Sequence, residues 1–241
     1  MLREATLVTG GSAGIGAGIV ERLAADGQSV IVLDRKPPTG PGAAHFEQVD
    51  LADAEATRET LARVCARFAV TRLVNNVAIC DPSPVGEEDL DDLRRMFDVN
   101  LRCPLLCVQA ALPAMTAAGF GRIVNLGSRG AFGKELRLIY NATKGAIHTI
   151  TRSWAVELAG RGITVNAVGP GVTDSEMYRR NNPPDFALTR KTNSSIPMGR
   201  IGTPGDVAEA VAFFLDRRNG YITGQLLFVC GGLSIGGPSA P

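Results

Sequence analysis

Thr9-Gly10-Gly11-Ser12-Ala13-Gly14-Ile15-Gly16 follows an apolar run at 5–9 and leads into an amphipathic stretch at 14–26. Glycines let a backbone turn tightly and approach a pyrophosphate. The N-terminus of the helix that follows offers free N–H groups and the positive end of its dipole. Glycines also mark ordinary turns, so such a stretch is a weak signal by itself. The order of parts decides: strand, glycine-rich turn, helix, as a dinucleotide site requires. Gly10, Ser12, Ala13, Gly14, Ile15 and Gly16 are its expected contacts.

The same alternation runs outward along the chain. Short apolar runs at 5–9, 29–34, 45–49, 72–75, 121–126, 164–168 and 226–229 read as strands. Helical periodicity occupies the intervals near 14–26, 53–68, 88–118, 138–160 and 204–216. Most of the strand runs are apolar on both faces, the pattern of a parallel sheet covered on each side. Right-handed crossovers then give a doubly wound α/β fold. Thr203-Pro204-Gly205-Asp206 opens the last helix with an N-cap, a first-turn proline and a carboxylate near the positive dipole end. One domain is expected over 1–241. The irregular stretch at 173–202, with Pro183-Pro184, reads as a substrate lid, and the Gly/Pro tail at 236–241 as disordered.

Composition excludes several classes. Hydrophobic residues at 45% and charged residues at 20% are ordinary for a globular chain. A net charge of +1 draws it to neither nucleic acid nor an anionic membrane. No apolar run approaches the roughly 18 residues that cross a bilayer. The early strand leaves no room for a leader, so a cytoplasmic location is expected. Cys65, Cys80, Cys103, Cys107 and Cys230 are odd in number and scattered, and read as thiols rather than disulfide partners or metal ligands.

Polar residues gather at the carboxyl ends of the strand runs, where a doubly wound sheet binds ligands. Asp34 ends the second run. A carboxylate there accepts hydrogen bonds from an adenosine ribose and repels a 2′-phosphate, favouring NAD over NADP, although Arg35 beside it offsets part of that repulsion. Asp50, with Leu51, is placed either at the adenine edge or as the cap of the next helix. Asn75-Asn76-Val77-Ala78 ends the fourth run. Asn76 suits a turn-binding role, with Val77 and Ala78 facing the crevice.

Tyr140 and Lys144 stand four apart in a helical stretch and so share a face. A nearby ammonium favours the phenolate and pulls a phenol pKa of ~10 toward the range of general acid–base work. Such pairs arise by chance, but Ser128 ends the fifth run at the same rim, able to hold a substrate oxygen against Tyr140. Asn100 sits mid-helix, where asparagine is disfavoured, and can bind a water feeding a proton relay to Lys144.

Together these motifs, from Thr9 to about Gly232, resemble the short-chain dehydrogenase/reductase family in its compact branch. The resemblance implies seven parallel strands in the order 3-2-1-4-5-6-7 and NAD(H)-dependent interconversion of a secondary alcohol and a ketone by a homotetramer. It implies Tyr140 as proton donor and acceptor, Ser128 polarising the substrate oxygen, Lys144 on the nicotinamide ribose and Asn100 on a water. It places Pro170, Gly171, Val172, Thr173 and Ser175 on the nicotinamide side, and Phe132 and Met177 beside the substrate.

Three features depart from the family pattern. Val77-Ala78 replaces Ala-Gly and narrows the pocket. Ser175 stands where a carboxamide-binding threonine is usual, with Thr173 nearby. Arg129, Lys134 and Arg137 crowd the segment before Tyr140, where solvated loop charges are favoured over partners of an acidic substrate. An NADPH-dependent 3-oxoacyl-thioester reductase is the alternative activity, which Asp34 opposes. A non-catalytic nucleotide-binding regulator would be expected to have lost Tyr140 or Lys144.

Overall fold

In the computed structural model, which describes residues 2–236, β1 (Arg3–Thr9) lies at the centre of the sheet. It pairs in parallel with β2 (Val30–Asp34) on one side and β4 (Phe68–Asn75) on the other. With β3 (Ala43–Gln48), β5 (Gly121–Leu126), β6 (Ile163–Pro170) and β7 (Leu226–Val229), the order is β3-β2-β1-β4-β5-β6-β7. The chain reverses its direction of winding between β1 and β4, which opens a crevice at their carboxyl ends.

Successive strand residues point to opposite faces, so each strand feeds two cores. Leu7 and Ile31 pack with Leu61, Val64, Met115 and Ile163, beneath α2 (Ala54–Arg67), α4 (Cys103–Ala117) and α5 (Leu138–Leu158). Val8 and Val32 pack with Ile19, Leu23, Val124 and Val211, beneath α1 (Gly14–Ala25) and α8 (Pro204–Leu215). Every residue of β5 and β6 is buried, as two covered faces demand. Each large apolar side chain so buried contributes about 1.5–3 kcal/mol.

Several elements differ from the periodicity. The single helix expected over 88–118 is three pieces: α3 (Leu90–Phe97), a π-helical turn at Asp98–Arg102, and α4. Pro104 lacks the N–H that would bond the Asn100 carbonyl, and the Cys103 N–H reaches five residues back to Asp98 instead. β4 begins at Phe68, earlier than the run at 72–75. The stretch at 173–202 is not irregular throughout. It holds α6 (Glu176–Asn181) and α7 (Ala187–Ser194), and a bridge between Thr173 and Gly202 joins its two ends. Thr203 and Asp206 form the reciprocal cap of α8. Residues 237–241 of the expected disordered tail lie outside the described residues.

Candidate active site

The glycine-rich turn is held by backbone geometry that side chains oppose. Gly10 and Gly14 have φ of 66° and 53°. A Cβ on Gly16 would lie 1.9 Å from the Gly10 carbonyl oxygen, so the helix can pack here only as glycine. Ala13 caps α1 without a side-chain acceptor, leaving first-turn N–H groups available to a phosphate. Asn76 fastens the turn to β4: its Nδ2 donates to the carbonyls of Thr9 (3.0 Å) and Gly10 (2.9 Å). The Asn76 and Val77 N–H groups donate to Thr9 Oγ1 at 3.1 and 3.2 Å.

Asp34 faces this turn directly. Its carboxylate accepts from the Ser12 N–H (3.0 Å) and the Arg35 N–H (2.7 Å), while Ser12 Oγ donates to the Lys36 carbonyl at 2.5 Å. The Arg35 side chain is exposed. Asp50 accepts from the Ala52 N–H at 3.0 Å, closing a local turn, and Leu51 is buried. The cap of α2 is Asp53, not Asp50: it accepts from Glu55 and Ala56 at 2.9 and 3.0 Å.

A cleft of about 860 Å³ runs from Ser12, Ala13 and Gly14 along α1 to Asp174, Ser175 and Pro204. Ser175 abuts Gly14, where an added Cβ would meet Ser175 Cβ at 3.2 Å, and its hydroxyl accepts from the Tyr178 N–H at 3.1 Å. Thr173 is turned inward, with a buried hydroxyl that has no partner among the described residues, so Ser175 is the hydroxyl at the cleft. Gly171 donates to Val229 at 2.9 Å, tying the turn after Pro170 to β7, and the Val172 carbonyl accepts from Gly202 at 2.8 Å. These observations fit a dinucleotide: glycines where a Cβ would collide, an uncapped helix start, and a carboxylate beside the turn.

The second half of the site comes from β5 and α5. Ser128 follows β5, and its Oγ accepts from the Gly130 N–H at 2.9 Å. A Cβ on Gly130 would stand 3.1 Å from that oxygen and 3.7 Å from the Tyr140 ring, so glycine keeps the two side chains close. Lys144 is buried one helical turn beyond Tyr140. Its Nζ donates to the Leu126 carbonyl at 2.7 Å and lies 5.7 Å from the Tyr140 ring centre. Asn100, in the π-helical turn, accepts from the Ile79 N–H (2.9 Å) and donates to the Ile79 carbonyl and Thr143 Oγ1 (both 3.0 Å). It therefore has a structural partner at the carboxyl end of β4 that mid-helix position alone did not reveal. Phe132 is exposed, with its ring centre 5.0 Å from that of Phe228, and Met177 is half-buried on α6.

The expected downward pull of Lys144 on Tyr140 is not what the folded chain produces. Burial pushes the Tyr140 phenol up to about 12, against opposing contributions from the Ser128 hydrogen bond and Arg137. Burial likewise lowers the Lys144 ammonium to about 8. Desolvation outweighs pairing because both groups are enclosed.

His148 belongs to this constellation and was missed. It continues the Tyr140–Lys144 face by four more residues, a spacing that would have found it. Its Nε2 accepts from the Ser128 N–H at 3.3 Å. Burial, and then Lys144, lower its pKa to about 4, so the ring is neutral at pH 7 and keeps the lone pair that this bond needs. A Cβ on Gly127 would be 2.4 Å from that nitrogen.

Comparison with known proteins gives concordant matches. A family model described as enoyl-(acyl carrier protein) reductase covers residues 10–234. The chain is 31% identical to a 2,5-dichloro-2,5-cyclohexadiene-1,4-diol dehydrogenase of Sphingobium indicum, over 97% of both chains. The ligand-free aldohexose dehydrogenase of Thermoplasma acidophilum superposes with a TM-score of 0.90 at 30% identity, covering 100% of this chain and 97% of that one. A 3-oxoacyl-(acyl-carrier-protein) reductase of Agrobacterium tumefaciens C58 with NADP bound gives 0.86 at 32% identity, covering 95% and 93%.

Proposed function

The chain belongs to the short-chain dehydrogenase/reductase family, and from that premise we propose that it interconverts a secondary alcohol and a ketone with NAD(H), using Tyr140 as general acid and base. The observation that carries this reading is the meeting of Ser128, Tyr140 and Lys144 at the rim that also holds the glycine-rich turn. Bound nicotinamide would supply the hydride acceptor or donor, seated by Lys144, Ser175 and the turn after Pro170.

The chain's own groups handle the proton. In the reducing direction Tyr140, a neutral phenol at pH 7, donates to the carbonyl oxygen while the Ser128 hydroxyl polarises it. In the oxidising direction Tyr140 must first lose its proton, and Lys144 stabilises the resulting phenolate. Asn100 holds the Ile79 backbone and Thr143, fixing the wall behind Tyr140. The Asp34 carboxylate, held beside the glycine-rich turn by the Ser12 N–H, supports NAD, because it would repel a 2′-phosphate bound there.

The NADPH-dependent 3-oxoacyl-thioester reductase is the second reading, favoured by the NADP-bound relative. NADH and NADPH fluorescence titrations separate the two cofactors, followed by turnover on paired alcohols and ketones. Tyr140→Phe should cost at least about 100-fold in kcat, the ordinary worth of a positioned acid–base group. Intact turnover would refute the mechanism. We further place the protein in the cytoplasm, consistent with five free cysteines. We also propose a homotetramer, supported by exposed apolar side chains on two faces: Leu105 and Val156 on α4 and α5, and Phe213 and Leu227 on α8 and β7.

A further inference from the structure

The segment joining Ser128 to Tyr140 carries Arg129, Lys134 and Arg137, and Arg180 lies on α6, whose end Arg137 reaches. Lys134 and Arg137 are not solvated loop charges, whereas Arg180 is exposed. Arg137 is 7% exposed, and its guanidinium donates to the carbonyls of Leu136 (3.0 Å) and Asn181 (2.8 Å). Lys134 is partly buried, and its Nζ has one hydrogen bond among the described residues, to Asn182 Oδ1 at 3.2 Å. Both cations thus reach from the catalytic segment to the end of α6.

None of the four is in an ion pair among the described residues. Asp81 is taken by Arg95 at 2.7 Å, Asp174 by Arg179 at 2.5 Å, and Glu135 is exposed. An enclosed cation without a counter-charge is unfavourable, and the Lys134 ammonium is accordingly depressed by burial first and then by Arg137 and Arg129. The backbone is strained at the same place. Leu136 has φ of 60°, uncommon for a bulky residue, and its carbonyl serves both Arg137 and the Ser83 N–H. The patch adjoins the reacting atoms. Asn141, next to Tyr140, donates its N–H to the Arg137 carbonyl at 2.7 Å and its Nδ2 to the Lys134 carbonyl at 2.9 Å.

We propose that Lys134 and Arg137, with Arg129 and Arg180 around them, receive an oxyanion carried by the substrate, so that the preferred alcohol or ketone is also an acid. The proposal rests on the alcohol–ketone reading of the site and names its substrate class. Carboxylate and phosphate share the required chemistry: acceptor oxygens with a negative charge for the unclaimed ammonium and guanidinium donors.

Two matched ketone pairs distinguish the sources: 4-oxopentanoate against its methyl ester, and dihydroxyacetone phosphate against dihydroxyacetone. Calorimetric binding of each ketone to the enzyme–NAD⁺ complex, which cannot reduce it, is measured beside kcat/KM with NADH, so the answer does not depend on turnover. The charged member of at least one pair should bind about tenfold or more tightly, and Lys134→Gln should collapse that preference toward unity. Lys134→Arg, which keeps the charge, should restore most of it, separating lost recognition from lost folding. Equal binding within both pairs in the wild type, or a preference untouched by Lys134→Gln, would overturn the proposal. Equal turnover within each pair would leave the alcohol–ketone reading standing. Turnover of a ketone that survives Tyr140→Phe would instead defeat the mechanism while leaving the anion preference measurable.

Discussion

In the proposed reaction Tyr140 begins in the wrong protonation state for one of its two directions. With its pKa held up near 12, the phenol is a ready donor at neutral pH, while the phenolate needed to accept an alcohol proton is scarce. Between pH 7 and 9, oxidation should therefore rise about tenfold per pH unit up to about pH 8 and flatten above it, where Lys144 loses the charge that stabilises the phenolate, while reduction stays level. Initial rates in both directions across that range check this, and a level oxidation profile would contradict it. Asp34 carries the second prediction. Asp34→Ala should weaken NADH binding far more than NADPH binding in fluorescence titrations, because the ribose loses an acceptor whereas the 2′-phosphate loses a repulsion. Equal losses would remove its selecting role. The meeting of Ser128, Tyr140 and Lys144 on one rim was legible because residue type and chain position both mark them. His148 was not, because its use depends on the Ser128 N–H approaching from another element.

Among the elements, the start of α1 is the least forgiving. Gly16→Ala would drive a methyl into the Gly10 carbonyl, an atom of the backbone that cannot step aside. Dinucleotide binding should fall by at least about tenfold while the far-UV spectrum keeps its helical content, since the clash is confined to the turn. Titration and circular dichroism together test this. The alternation of elements was readable because buried parallel strands and amphipathic helices have different periods. Their interruptions were less so. The π-helical turn at Asp98–Arg102 is a hydrogen-bonding choice imposed by Pro104, invisible to hydrophobic periodicity. The extra residues at the start of β4 were hidden because Phe68–Thr71 suits either the end of a helix or an edge of the sheet.

On the scale of the whole molecule, alternation and right-handed crossovers gave helices on both faces, as the two cores show, while the strand order was anticipated from the family resemblance. The assembly is a different matter, because surface side chains carry no such period. Val156 is 82% exposed on α5 and Leu105 44% exposed on α4, apolar surface that a neighbouring copy would cover in the proposed tetramer. Light scattering should give a mass of about four chains, and Val156→Glu should shift it downward. A wild-type mass of one chain would end the tetramer proposal. The bridge between Thr173 and Gly202 has a consequence of another kind. Because both ends of that stretch meet at one point, what lies between is a detachable cassette. If it acts as the proposed lid, grafting another stretch between the same two ends should retune which molecules are admitted while the sheet beneath is left unchanged.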